Sequence, residues 1–428
     1  MNQLLPVSSG VFPGTIAKDD TMIQKPRGTR DMLPDEMEKR REIEARMRGR
    51  ARLRGFREIS TPVFEELELF TIRSGEGIIN EMYVFEDKGG RSLSLRPELT
   101  APVLRMFVEE GRSLNKPVKW CYFADCFRYE RPQKGRYRQF WQFGAELIGA
   151  DSAMADAEVI ILGYDLLKTA GIRFVLKIGH LSFMRTLLSN LAEEDKKKIR
   201  AFLDKREEDA AVSHLKVIGH EELCEPLIRL CGARTLEEVF LVIGEIPESQ
   251  RIREMFHILD VNQIPYEINP AIARGLDYYT GVVFECFAEG LGAENQILGG
   301  GAYRLAHLFG GEDTPSAGFA IGFDRVMVAL GDSVWSPDTP QVMVVATSEG
   351  RDRALVVTEE LRKNGIITEI DLMERSFSAQ MKTAGKSADY AVIIGKEEVT
   401  SGDVTLKNLK AGTQERLSVD DVVRKLSP

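Results

Sequence analysis

The sequence predicts an α+β protein: an antiparallel-sheet domain carrying a helical insertion, followed by a separate α/β domain. Three observations carry that expectation. Strand-like stretches cluster in the first 150 residues with few helical crossovers between them, which favours an antiparallel sheet with flanking helices. Residues 191–255 are polar and helical in pattern, with no sheet signal. From Gln341 onward, short apolar runs alternate with helical stretches in a βαβαβ order, which is the grammar of a partly parallel sheet.

In chain order, residues 1–21 are rich in Ser, Gly and Pro and precede a second methionine, Met22. They are expected to be a flexible extension; they lack the basic start and apolar core of a signal peptide. Asp35–Arg54 suits a long charged helix with a thin apolar stripe (Met37, Ile43, Met47, Leu53), ended by Gly55. "FREISTPVFE" alternates like a strand and is broken at Pro62. "RSLSLRPELT", "KWCYFADCFRYE" and "QFWQFGAELIGA" read as further strands. A helix over 152–170 closes at Gly171 and leads into a strand at 172–178. Strands resume at "VVFECFAEG", and the helix "GFDRVMVAL" ends at Gly331. The first domain is thus expected in two parts, 22–190 and 256–331, on either side of the insertion. Residues 332–340, "DSVWSPDTP", have linker composition, and 341–428 form the last domain.

The chain has 428 residues and a formal net charge of −9. That length calls for at least two domains, and the acidic balance argues against indiscriminate binding to nucleic acid or membranes. No apolar run reaches the roughly 20 residues of a membrane span. Five cysteines are scattered without a CxxC pair, so free thiols in a reducing compartment are expected, with no metal site. These features point to a cytoplasmic protein.

Against this acidic background, "FRYERPQKGRYRQFWQFGAE" (127–146) packs Arg128, Arg131, Lys134, Arg136 and Arg138 among aromatic rings. Pro132 and Gly135 suit a loop between two strands. Alternation after Arg138 puts Phe140, Gln142, Gly144 and Glu146 on one face. Such a hairpin could hold a triphosphate by its arginines and a base by its ring; a solvated basic hairpin over an aromatic core fits equally well. "ARGLDYYTG" (273–281) could aim Arg274 inward beside Tyr278 and Tyr279, or be a tyrosine pair at a turn. In "QILGGGAYRLAHLFGG", Gly299–Gly301 permit close backbone approach to a ligand, or a tight bend. In "GFAIGFDR", Arg325 follows Asp324 at a helix start. Two familiar nucleotide loops are excluded: Gly385-Lys386-Ser387 has Gln380 where a P-loop needs glycine, and no GxGxxG follows a strand.

Together these stretches resemble the class II aminoacyl-tRNA synthetases and, among them, the histidyl-tRNA synthetases, from about Gln24 to the end. "REISTP" is similar to the first class II motif, "FRYERPQKGRYRQFWQFGAE" to the second and "GFAIGFDR" to the third. "ARGLDYYTG" is similar to a signature peculiar to the histidyl enzymes; "GTRDMLP" and "RPELT" also fit. The resemblance implies a class II antiparallel catalytic domain and a C-terminal anticodon-binding domain. It implies a homodimer that joins histidine to the 3′ end of its histidine-specific tRNA, using ATP with Mg²⁺. Glu98, Thr100 and Gln142 would take the α-amino group of histidine, Glu146 and Tyr279 would bracket its imidazole nitrogens, and Leu99, Arg128 and Tyr278 would be further histidine-binding positions. Arg128 and Arg274, the catalytic pair, would contact the α-phosphate, Arg274 also the histidine carboxylate. Glu130, Arg136, Phe140 and Arg325 would complete the ATP site, Phe140 and Arg325 on the two faces of adenine. Gln133, Lys134 and Arg138 would meet the tRNA acceptor end. Two departures stand out: "GGGAYR" has Ala302 and Arg304 where the family often has Arg and Asp, and Asp324 stands where Glu is common. Two rivals are weighed: a non-charging regulatory subunit of histidine biosynthesis, which usually lacks the C-terminal domain, and a tRNA-sensing binding protein without catalysis.

Overall fold

A computed structural model describes residues 23–74, 76–272, 279–289, 291, 295–331 and 340–427. The expected extension, and all of the expected linker except Pro340, lie outside them. The chain divides into two compact units, one ending at Asp332 and one beginning at Ser333.

In the first unit the helix Pro34–Leu53 starts with proline, places Asp35 and Glu36 in its first turn and Arg50 and Arg52 in its last, all favourable to the helix dipole. Its buried stripe differs from the expected one. Arg40, Ile43, Glu44, Met47 and Ala51 face inward, whereas Leu53 is 79% exposed. A helix can bury charged side chains when partners elsewhere neutralise them, and a local pattern does not show those partners.

The strands follow as β1 (Arg57–Glu58), β2 (Phe64–Glu66), β3 (Val84–Glu86), β4 (Ser92–Leu95), β5 (Val118–Phe127), β6 (Gln139–Ile148), β7 (Phe174–His180), β8 (Glu267–Ile268), β9 (Tyr279–Ala288), β10 (Gln296–Tyr303) and β11 (Ser316–Gly322). Eight of them form one sheet in the order β1-β5-β6-β11-β10-β9-β7-β8. Its six central strands pair antiparallel, and only the short edge strands β1 and β8 pair parallel. The Pro62 break separates β1 from β2, which joins the small sheet β2-β4-β3.

The helix Ala153–Thr169 covers one sheet face. Ser152 caps it by accepting from the Ala155 amide. The core on that side includes Phe143, Ile160, Phe284 and Phe319. The other face gathers Trp120, Tyr122, Cys126, Tyr279 and Tyr303 around Leu99 and Val103; the site forms there. Between β7 and β8 the chain is helical, including Glu193–Asp204, Glu208–Val217, Cys224–Gly232, Leu236–Ile243 and Ser249–Val261. This last helix runs through position 255, where the sequence suggested a boundary, because Ile252, Met255, Phe256 and Leu259 form one buried stripe.

The second unit holds β12 (Gln341–Ala346), β13 (Ile367–Ile370), β14 (Tyr390–Ile394), β15 (Val404–Asn408) and β16 (Gln414–Leu417) in the order β13-β12-β14-β15-β16. The first three are parallel and the last two antiparallel. Gly385, Lys386 and Ser387 end the helix Phe377–Ser387, so they form no phosphate loop. Among the described residues no helix is long and apolar enough to cross a membrane.

Candidate active site

β5 and β6 form the long hairpin expected from the sequence, with Cys126 opposite Phe140 and Trp120 opposite Glu146. Gln133 and Arg136 exchange backbone hydrogen bonds of 3.0 and 2.9 Å across its loop, and Gly135 takes the turn at φ 76°. Arg128 is anchored through Nε, which donates to the Pro97 carbonyl at 2.9 Å. Its guanidinium carbon stands 5.2 Å from the centre of the Phe140 ring. Arg136 pairs with Glu130 through Nε. Burial would push Glu130 up, but Arg136 and Arg128 hold it below the usual carboxylate range. Arg138 is tied to both the hairpin and the N-terminal segment. Its backbone N–H donates to the Gly28 carbonyl at 2.8 Å, Nε donates to the Glu130 carbonyl at 3.2 Å, and its guanidinium lies 4.2 Å from the Tyr129 ring centre. It braces the hairpin against the N-terminal segment.

"RPELT" turns into the helix Thr100–Met106. Glu98 accepts from the backbone N–H groups of Thr100 (2.6 Å) and Ala101 (3.0 Å). Burial pushes its carboxyl up despite those bonds. The Leu99 side chain is 1% exposed in the core, and its carbonyl accepts from the Val103 amide. Leu99 therefore supports the turn that carries Glu98 and Thr100.

The Thr100 hydroxyl donates to Glu146 Oε1 at 3.0 Å. Tyr122 donates to the same oxygen at 3.1 Å, and Tyr303 donates to Oε2. Glu146 is fully buried. Burial, first of all, raises its pKa to about 8; the three hydroxyls pull it down, and Glu98 pushes it up. Gln142, also on this face, accepts from the Cys126 thiol at 3.4 Å through Oε1.

Tyr122 and Tyr303 were not singled out from the sequence. Tyr303 carried a usable signal, since it stands two residues beyond the glycine-rich run. Those glycines make room for the protein's own side chains. A Cβ on Gly301 would lie 2.7 Å from the Tyr279 ring, one on Gly144 would lie 2.3 Å from the Tyr122 hydroxyl, and one on Gly318 would lie 1.6 Å from Glu146 Oε2. A Cβ on Gly300 would lie 2.5 Å from the Gly318 carbonyl, and Gly299 lines the cavity. The two departures in the same strand leave the site alone. Arg304 pairs outward with Asp151 (2.6 Å) and Asp313 (2.9 Å), and the Ala302 carbonyl accepts from the Thr280 hydroxyl.

Arg325, at the start of the helix Phe323–Leu330, donates from Nη1 to the Gln296 carbonyl at 2.7 Å. Asp324 does not turn to a phosphate or metal. It is 2% exposed, and both its oxygens accept from protein donors. Arg274 and Tyr278 lie outside the described residues.

One cavity of about 890 Å³ brings together Glu98, Thr100, Arg128, Glu130, Arg136, Phe140, Gln142, Tyr279 and Arg325. Glu146 sits behind its wall, reached through Thr100, Tyr303 and Gly318, which do line it. Arginines, a half-buried carboxylate and hydroxyls thus line a single cavity. This suits a polyanion bearing a flat ring, beside a small cation with a polar ring. Among the described residues no group of three or more His, Cys, Asp or Glu side chains is placed to hold a metal.

Comparison with known proteins agrees with this geometry. The family model "Histidyl-tRNA synthetase" matches residues 28–326, and the model "Anticodon binding domain" matches 341–427. A curated histidine–tRNA ligase of Methanospirillum hungatei is 82% identical over 406 residues, covering 95% of this chain and all of the relative. The crystal structure of a Nostoc histidyl-tRNA synthetase shares the fold, with TM-score 0.83 at 24% identity over 95% of this chain and 99% of the other. A Bacillus halodurans structure described as an ATP phosphoribosyltransferase regulatory subunit/histidyl-tRNA synthetase is 26% identical, with TM-score 0.75 over 88% of this chain and 98% of the other.

Proposed function

Because the chain belongs to the histidyl-tRNA synthetase family, we propose that its cavity is where histidine and ATP react and where the product passes to tRNA. The protein is a histidine–tRNA ligase that uses ATP. The observation carrying the residue-level reading is the convergence of the second-motif arginines, "RPELT" and the third-motif arginine on one cavity.

A histidine carboxylate oxygen attacks the α-phosphorus of ATP, a P–O bond forms, and the bond to pyrophosphate breaks. A hydroxyl of the terminal adenosine of the tRNA then attacks the acyl carbon, and AMP leaves. No enzyme nucleophile is required, so the protein works by positioning and by stabilising charge. Arg128, with Arg274, stabilises the α-phosphate. Arg136 and Glu130 flank the outer phosphates, and Phe140 and Arg325 enclose adenine. Magnesium enters as the ion carried by ATP, since Mg²⁺ is held largely by substrate phosphates and water. Glu98, Thr100 and Gln142 hold the amino end of histidine, and Glu146 with Tyr279 and Tyr278 recognises its ring. Gln133, Lys134 and Arg138, on the hairpin loop and its flank, meet the acceptor end.

The homodimer is supported by exposed apolar side chains beside "REISTP", where Val63, Phe64, Val84 and Phe85 are 39–52% exposed and Phe64 meets Phe85 edge to face; contiguous exposed apolar patches are candidate interfaces. Cytoplasmic residence follows from the tRNA substrate. Histidine-dependent ATP–pyrophosphate exchange tests the whole reading: a non-charging regulatory subunit or a tRNA-sensing protein gives none.

Arg128→Ala and Arg274→Ala are each expected to slow single-turnover adenylate formation by about 10²–10³-fold, while histidine binding by calorimetry changes little. Lysine at either position recovers only part of the rate, because an ammonium cannot replace a planar fork. A loss confined to histidine affinity would remove the residue from this role.

A chain ending at Gly331 is expected to keep adenylate formation and lose tRNA charging. Among the described residues, the cores of the first unit contain none beyond Leu330, and those of the second lie within 342–426. Equal charging by truncated and full-length protein would remove anticodon reading from the C-terminal unit.

A further inference from the structure

We propose that the buried Arg40–Asp324 ion pair acts as a strut that sets the spacing between Phe140 and Arg325, making both residues positioning residues for ATP. The inference rests on the reading of Phe140 and Arg325 as the adenine clamp.

Arg40 belongs to the long N-terminal helix and Asp324 to the third motif, 284 residues away. They meet at 2.8 Å, with side-chain exposures of 3% and 2%. Isolated buried charges are costly, and a pair of them is retained only with good geometry and further bonds. Here the geometry is directed at the clamp. β11 ends at Gly322, opposite Gln142 on β6. The N–H of Trp141, one residue back along β6, would therefore lack a strand partner. Asp324 Oδ2 takes its place and accepts that N–H at 2.7 Å. The carboxylate thus continues the ladder where the strand has become a helix.

Asp324 holds both halves of the clamp in this way. Its own backbone carries Arg325, and its side chain holds the peptide that joins Phe140 to Trp141. Arg40 fills the space behind. Its guanidinium carbon lies 5.1 Å from the Trp141 ring centre and 4.9 Å from that of Phe323, so cation–π contacts fix it on both sides of the pair.

A third cation extends the strut to the hairpin loop. Arg30 Nη2 donates to Asp324 Oδ1 at 3.2 Å and pairs with Glu36 at 2.9 Å, and its guanidinium carbon lies 4.6 Å from the Tyr137 ring centre. Nearby, Gly28 accepts the Arg138 amide. The N-terminal segment, the long helix, the phosphate hairpin and the third motif therefore share one buried carboxylate.

The test measures KM for ATP and for histidine in pyrophosphate exchange, with melting curves, for Asp324→Asn, Arg40→Met and the double variant. Arg325→Ala is the reference. Each single variant is expected to raise the ATP KM about tenfold, the order of effect of a small misplacement, with the histidine KM within about twofold of wild type. The double variant recovers part of the loss, because no buried charge is left alone. A role in stability alone would lower the melting temperature and leave the ratio of the two KM values unchanged; that result overturns the proposal. If a single variant fails to fold, the double variant decides by the same ratio. Arg325→Ala with a wild-type ATP KM would overturn the clamp reading and this inference with it. A raised value there beside unchanged values in the strut variants would overturn the strut alone.

Discussion

Glu146→Ala is expected to lower histidine-dependent exchange by about 10⁴-fold, the size of effect seen where a buried site loses its partner for a specific polar group. The alanine would leave the imidazole N–H without an acceptor. It would also strip Thr100, Tyr122 and Tyr303 of the oxygen they now share. Histidine binding should vanish while ATP binding persists. Exchange within tenfold of wild type would end the assignment of Glu146 to the histidine ring.

The same carboxyl makes a prediction in pH. Its pKa is raised from 4.5 to about 8 in the empty site, so it keeps its proton near neutrality. Between those values the folded protein binds more protons at this position than the unfolded chain does. Its contribution to stability is therefore complete below pH 4.5 and is lost as pH rises toward 8. Glu146→Gln, which cannot ionise, should show a flatter melting temperature across that window. The ionised carboxylate is the stronger acceptor for an imidazole N–H, so histidine binding at pH 7 should release a proton. Calorimetry in buffers of different ionisation enthalpy reads that proton directly. Its absence in wild type would show that Glu146 binds histidine in its acid form.

Gly318→Ala is the second large effect. The new methyl carbon would sit 1.6 Å from Glu146 Oε2 and 2.8 Å from the Ala145 carbonyl. The carboxylate must turn away, or β11 must move from β6. A displacement of about 1 Å in a catalytic site costs on the order of 10²-fold. Histidine activation should fall by at least that much, with ATP binding intact, because Gly318 faces Glu146 and not the arginines. Wild-type exchange in this variant would mean that Glu146 can leave its three hydroxyl partners without consequence.

Much of the architecture was legible in the sequence because it depends on local spacing. Alternation marked β5 and β6, and the same alternation put Phe140, Gln142 and Glu146 on one face. Glycine and proline marked the loop at 131–136 and the helix end at Gly331. The change to βαβ order after 340 marked the second α/β unit. The arginines of the hairpin stood out because they break the acidic character of the chain, and the resemblance of four stretches to one family supplied their roles.

What tertiary structure decided was the pairing of charge and hydroxyl over long separations. Tyr303 meets Glu146 across 157 residues, and Arg40 meets Asp324 across 284. In the sequence, Arg40 and Glu44 were two more charges on a polar helix, and Leu53 belonged to its apolar stripe. The fold buried the charges and exposed the leucine, because burial follows from which partner lies opposite. Arg138 was tied to the N-terminal segment by a carbonyl at Gly28, and Asp324 was turned toward a peptide N–H at Trp141. Periods of two and 3.6 residues state which face a side chain shares with its neighbours. They carry no information on the donor or acceptor that another strand brings to that face, and here those partners determine which residues reach the substrate and which hold the others in place.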